Sequence, residues 1–275
     1  MTVTNIADRR QKHQDAALRL ETMLTDLLDT DTFRRYLHAM SRFHRYNWGN
    51  VALIMSQRPD ATRVNSYRRW QAIGRQVKQG EKGIAIWTPR TRRNDNGDHE
   101  LTGFGLGYVF DASQTEGDEL PAAPKAEPIT GHSPYADAAY GVVLDLIAAR
   151  GVQFVREDTR PAGGYWKPQA RVIAVDESLT GNAALSVTVH EAAHMLADHH
   201  GKIDKGDAES VAEGAAFVVL SYLNIDTSRH SVPYIAGWTR DTETLRRNLA
   251  ELQHIAHTII EHYEEAMIDD LTDAA

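Results

Sequence analysis

The residues best placed to do chemistry lie close together in the second half of the chain. His190-Glu191-Ala192-Ala193-His194 reads H-E-x-x-H. On a helix, positions i and i+4 share a face one turn apart, so His190 and His194 can offer two imidazoles to one metal ion. Glu191, beside the first histidine, can hold and deprotonate a water at that ion. Val187, Val189, Ala193 and Leu196 can bury much of the rest of the helix, which puts the site at the edge of a core. Five-residue matches occur by chance, and histidines on helices are often only solvated. Here the match has helical apolar spacing, a strand-like run at Ala170–Val175 just before it, and a carboxylate-rich helix soon after. Together these favour a metal.

A catalytic zinc usually takes three protein ligands and keeps a fourth position for water, so a further donor is needed. Glu209 and Glu213 are again i and i+4 and share a face. Small residues flank Glu213, as expected where two helices approach closely, and they make it the first choice, with Glu209 second. Glu209 serves equally as a partner behind the ligands or as a surface charge. His199 and His200 are the third choice, because they follow His194 too closely to fold back easily.

These groups need a scaffold. The chain has 275 residues, enough for one large or two modest domains. No apolar run approaches a membrane span, and Met1–Asp8 carries no apolar signal core, so a cytoplasmic protein without membrane contact is expected. The absence of cysteine excludes disulfides and thiolate metal sites. The net charge of -8 conceals an asymmetry: residues 34–93 hold 14 Lys+Arg against only Asp60 and Glu81, a net +12. So one-sided a block suggests a polyanionic partner for the first half.

The expected fold class is α+β. Helices are expected over 12–29, from a cap at Thr30 or Asp31, over Val51–Met55, and over Tyr67–Arg75 up to a glycine stop. Ile84–Trp87 and Gly105–Phe110 read as antiparallel strands around a tip at Asn94–Gly97. This gives a small antiparallel-sheet domain with helices over 1–115. Residues 116–134, with Pro121, Pro124, Pro128 and Pro134, read as an extended linker. Residues 135–275 form a mostly helical, zincin-like domain with a short sheet: a helix over 135–150, strands at 152–155 and 170–175, and helices over 182–200, 207–222 and 241–268.

Several stretches resemble a known family. Tyr46–Ile54, Trp70–Ile84 and Tyr108–Thr115 resemble the single-stranded-DNA-binding N-terminal domain of ArdC-type antirestriction proteins, also found on plasmid TraC-like primases. The H-E-x-x-H, Glu213–Val219 and Ser231–Trp238 resemble the ArdC metallopeptidase domain, related to the ImmA/IrrE peptidases. Matching Glu213-x-x-x-Phe217 to the family's E-x-x-x-aromatic pattern favours Glu213 as the ligand. The Ser-Val-Ala that usually follows that glutamate instead follows Glu209 here.

The resemblance implies a protein that binds single-stranded DNA without sequence preference, carries a zinc metallopeptidase-like domain, and protects entering plasmid DNA. Single strands are held by cationic grooves and by aromatic faces on which bases stack. Arg42, Arg45, Arg68, Arg69, Arg75, Lys78 and Lys82, with Arg90, Arg92 and Arg93, are the candidate charges. Tyr46, Trp48, Tyr67 and Trp87 are the candidate faces, and Trp70 is expected to be core. Glu191 is the expected general base, with Tyr234, or else Tyr165 or His230, stabilising an oxyanion. Two rival readings are a regulatory zinc peptidase acting on an unknown repressor-like protein, with DNA only localising it, and a DNA-coating protein whose metal is structural.

Overall fold

A computed structural model describes residues 3–93, 99–121, 127–132, 134–197, 204–226 and 241–273. Helix α1 spans Val3–Asp26, and α2 spans Thr30–Arg42. Between them Asp29 accepts the Thr32 N–H at 2.9 Å, which satisfies a donor that the first turn of α2 leaves unpaired. The chain forms two compact units, one of residues 1–27 and 46–122, the other of residues 28–45 and 123–275.

In the first unit, α3 (Trp48–Gln57) is capped by Asn47, and a three-stranded antiparallel sheet has the order β1 (Val64–Ser66), β4 (His99–Asp111), β3 (Ile84–Arg93). Two amides on α3 close the open edge of β3. Asn50 gives Nδ2–H to the Trp87 carbonyl and takes the Trp87 N–H, both at 2.8 Å; Gln57 does the same with Ala85, both at 2.9 Å. Side-chain amides thus pair backbone groups that would otherwise invite another strand. Between β1 and β3 lie α4 (Tyr67–Ala72) and β2 (Arg75–Val77), which pairs with β5 (Thr115–Gly117). Leu24, Leu53, Ile54, Trp70, Ile84, Ile86 and Val109 are buried here.

The two faces of β4 differ. Register pairs Trp87 with Leu106 and Ala85 with Tyr108 on one face, and Ile86 with Gly107 and Ile84 with Val109 on the other. Val109 turns inward with Ile84 and Ile86. Gly105 and Gly107 share its face but supply no side chain; Arg90 and Thr88 of β3 lie across them. Alternation therefore sends Phe104, Leu106, Tyr108 and Phe110 to the opposite face.

In the second unit, β7 (Gln153–Glu157), β9 (Val172–Asp176) and β8 (Gly164–Lys167) form a mixed sheet with β9 central, parallel to β7 and antiparallel to β8. Around it lie α5 (Pro134–Ala149), α6 (Gly181–Ala197), α7 (Lys205–Tyr222) and α8 (Thr242–Asp273). β6 (Glu127–Pro128) pairs in parallel with β10 (Ile225–Asp226). Ile147, Leu185, Val189, Phe217, Leu249 and Ile255 are buried. Helix α2 packs on α7, and the Phe217 ring meets His38 edge-on at 4.7 Å.

The α+β class and the main helices are as expected. Several elements are longer than expected, β3 and β4 above all, and β1, β2, β5, β6, β8 and β10 were not expected as strands. The expected boundary at residue 115 runs along the sequence, whereas the packing interleaves: residues 28–45, read as part of the first domain, cluster with the second unit. Described parts of the 116–134 stretch pair as strands β5 and β6 rather than serving only as a linker. The tip at Asn94–Gly97 lies outside the described residues.

Candidate functional site

The site begins with the helix pair α6 and α7. Gly214, Ala215 and Ala216 on α7 and Ala192 and Ala193 on α6 let the two backbones pack closely. His190 and His194 then stand one turn apart with their Nε2 atoms 3.2 Å from each other. Across from them, Glu209 Oε2 lies 3.6 Å from His190 Nε2 and 3.5 Å from His194 Nε2. Ligands bonded at about 2.0–2.2 Å and set at tetrahedral angles stand about 3.3–3.6 Å apart, so this triangle fits a single small divalent ion. Among the described residues, His190, His194 and Glu209 are the one group of metal-ligand type whose donor atoms converge in this way.

Glu213, the first-choice third ligand from sequence, stands outside this triangle. Its Oε2 lies 3.0 Å from His190 Nδ1. A carboxylate only accepts, so His190 carries its proton on Nδ1 and leaves Nε2 directed at the triangle. The one-turn offset between Glu209 and Glu213 divides the work: the nearer glutamate faces both Nε2 atoms, and the farther one fixes a ring. His199 and His200 lie outside the described residues, as do His230 and Tyr234.

Burial opposes charge on His190, but Glu209 and Glu213 outweigh it and hold the imidazolium up to about 10. The two imidazoles acting together push the Glu209 carboxyl far below its usual range, against the burial that opposes ionisation.

Glu191 is buried, with 7% of its surface exposed. Burial raises its carboxyl above the ordinary range, against the pull of the two histidines, and it accepts the Trp166 backbone N–H. That bond follows from the sheet. The Asp176 N–H donates to the Gly163 carbonyl at 2.8 Å, so along β8 the groups of Gly164 and Trp166 point away from β9. The fit of β8 against α6 needs Gly164: a Cβ there would lie 2.7 Å from the Ala174 carbonyl and 2.7 Å from Val187 Cγ1. Tyr165 Oη instead donates to Glu157 at 2.5 Å.

The basic and aromatic candidates are divided between the units. Arg42 and Arg45 belong to the second, where Arg45 pairs with Glu264 at 3.1 Å. In the first, Arg75 binds Thr115 Oγ1 at 2.8 Å and the Thr115 carbonyl at 3.0 Å, and Lys78 Nζ binds the Ser113 carbonyl at 3.0 Å. Both fasten the fold. Arg68, Arg69 and Lys82 are exposed. Tyr46 is half-buried and donates to the Val64 carbonyl; Trp48 is half-buried at the start of α3; Trp87 meets His13 edge-on. Tyr67 is exposed, and Trp70 is fully buried as expected. Sequence reading overlooked Phe104 and Tyr108, 56% and 47% exposed. The signal for them was the glycine alternation at 103, 105 and 107, which marks the face that the rings do not share.

Residues 28–123 match the family model of the N-terminal domain of anti-restriction factor ArdC. That segment is similar to the ArdC N-terminal domain. The fold as a whole is ArdC-like: the metal-free crystal structure of the antirestriction ArdC protein from plasmid R388 superposes with a TM-score of 0.51 at 20% identity, over 80% of this chain and 86% of that one. An uncharacterized protein of Bacillus anthracis is 23% identical over 80% of this chain, which spans 45% of that protein's length. The uncharacterized protein y4eC of Sinorhizobium fredii is 24% identical over 76% of this chain and 75% of its own. No helix among the described residues is long and apolar enough to cross a membrane.

Proposed function

We propose that this ArdC-like protein binds single-stranded DNA non-specifically through its first unit and is a metal-dependent peptidase through its second, protecting entering plasmid or mobile-element DNA from restriction. The observation that carries the peptidase half is the triangle of His190, His194 and Glu209 with Glu191 beside it. A divalent ion bound there, zinc by its donor set, supplies a Lewis acid for a carbonyl oxygen and lowers the pKa of water. Glu213 holds the His190 ring through Nδ1. Glu191 takes a proton from water and returns it to the leaving amine, and its raised pKa strengthens it as a base. Among the described residues β8 is an edge strand, and its outward backbone groups other than the Trp166 N–H, which Glu191 takes, suit an extended polypeptide added as a further strand. A purely structural metal would not need Glu191, which favours hydrolysis.

Support for the DNA half comes from the ArdC N-terminal domain match and from the first unit's share of the basic block, residues 46–93, which hold ten Lys+Arg against Asp60 and Glu81, a net +8. Coating of single strands would by itself shield DNA from nucleases, with no proteolysis required. The test measures zinc and manganese content, single-strand binding and cleavage of an unfolded protein substrate for wild type and His190→Ala. One ion per chain in wild type and none in the variant, with cleavage lost and DNA binding kept, is the expected pattern. Equal metal content in both sinks the ligand assignment, and absence of single-strand binding in wild type sinks the DNA reading.

A further inference from the structure

The outward face of the β3–β4 ribbon carries more exposed apolar surface than the first unit needs for folding. Phe104 and Tyr108 stand four residues apart on one face of β4, with Leu106 between them and Phe110 beyond. Leu101, farther along the strand, is 55% exposed. Tyr67 extends the row from α4, its ring edge-on to Phe110 with centroids 6.4 Å apart. Gly83 keeps the surface low beside these rings: a Cβ there would lie 2.9 Å from Tyr108 Cβ and 3.2 Å from Phe110 Cζ. Contiguous exposed aromatic surface of this kind marks a binding face.

Cations surround the row. Lys82 precedes Gly83, and Arg68 and Arg69 follow Tyr67 on α4; all three are exposed. Apolar partners do not call for such a border, and a protein partner would need matching acids. A polynucleotide satisfies both parts at once, with phosphates on the cations and bases on the rings. Same-face residues two apart on a strand lie about 6.8 Å apart, so Tyr108 and Phe110 stand one such step apart and Phe104 and Tyr108 two steps, distances that the bases of an extended strand can span. A duplex keeps its bases stacked inside and cannot offer their faces.

We infer that the outward face of β4, with Phe104 and Tyr108 as its exposed rings and Tyr67 and Phe110 continuing the row, is the surface on which this protein stacks the bases of single-stranded DNA. The inference rests on the DNA-binding reading above and names the face that performs it. It moves the base contacts from Trp48 and Trp87, expected from sequence, to rings that the glycine-rich strand turns outward.

The test uses the full-length protein and a fluorescent oligothymidylate, with binding read by anisotropy over a range of salt. Phe104→Ala and Tyr108→Ala should each weaken binding about tenfold while the salt slope stays that of wild type, because phosphate contacts are untouched. Tyr108→Phe should restore what Tyr108→Ala loses, since a ring suffices for stacking. Both rings are exposed, so unchanged thermal midpoints will show that folding is intact. Wild-type binding with no loss in the double alanine variant overturns the stacking face and leaves the DNA reading standing. Absence of single-strand binding in wild type overturns both. A wild-type dimer that Phe104→Ala converts to monomer, with DNA affinity unchanged, assigns the face to a second copy and also overturns the inference.

Discussion

His190 Nδ1 stands 3.0 Å from Glu213 Oε2, while the other nitrogen of the same ring faces Glu209. One imidazole is thus held between two glutamates a helical turn apart. Glu209→Ala should therefore abolish stoichiometric metal binding, and Glu213→Ala should lower affinity by about 10–100-fold. Glu213→Gln should fall between Glu213→Ala and wild type, because an amide oxygen still accepts from Nδ1. Competition with a chelator gives all three affinities, and a larger loss in Glu213→Ala than in Glu209→Ala would reverse the two roles.

Glu191 makes none of the contacts that form the triangle. Glu191→Gln should retain one ion per chain and lower hydrolysis by about 10²–10⁴-fold, the usual contribution of a general base. Metal analysis and turnover on the same preparation decide it; cleavage at the wild-type rate would remove Glu191 from the mechanism.

Gly164→Ala tests the seat of β8 on α6. The added methyl meets the Ala174 carbonyl and Val187 and approaches Glu191 Cγ at 3.3 Å. Overpacking of this kind should destabilise by about 1–3 kcal/mol, seen as a lower thermal midpoint.

Asp111 links stability to pH in the first unit. Burial opposes its charge, but N–H donors of Ser113, Thr62 and Arg63, at 2.9, 2.7 and 3.1 Å, and the Ser113 hydroxyl hold its carboxyl below the ordinary range. A folded-state pKa below the unfolded value gives stability that is fully present above about pH 4 and is lost as pH falls through the lower folded value. Denaturant melts of wild type and Asp111→Ala should therefore differ most near neutrality and converge in acid. A gap that widened on acidification would contradict the assignment.

Cutting after residue 115 should not yield a well-behaved domain. Phe33, Tyr36, Leu37 and Met40 on α2 are buried, and α2 packs on α7. The fragment 1–115 should bind a hydrophobic dye and self-associate, whereas a fragment 46–122 joined to residues 1–27 by a short linker should not. Sedimentation of the two fragments compares them directly.

Much of the metal site could be read from the sequence because it depends on helical spacing within one segment. His190, Glu191 and His194 needed nothing more. The choice between Glu209 and Glu213 did, because both lie on one face of α7 and the decision rests on how far α7 is shifted along α6. Periodicity within a single helix does not carry that offset. Asn50 and Gln57 gave no sign of pairing with β3, since their spacing is also that of ordinary helix polarity. Phe104 and Tyr108 were missed for a related reason: alternation sorts a strand into two faces, and only the packing of Ile84, Ile86 and Val109 tells which one turns inward.

The backbone passes between the two units three times, near residues 27, 45 and 122. The stretch that matches the ArdC N-terminal domain begins at Leu28 and so includes the α2 segment that folds with the second unit. The part that gene fusion would transfer as one cassette is therefore not the part that folds as one body. Joined to a different C-terminal domain, the same cassette would bring Phe33, Tyr36, Leu37 and Met40 without α7 to cover them. Recombination at the start of α5 would succeed only where the new neighbour offers an apolar groove for α2, which limits the proteins in which this segment can be reused.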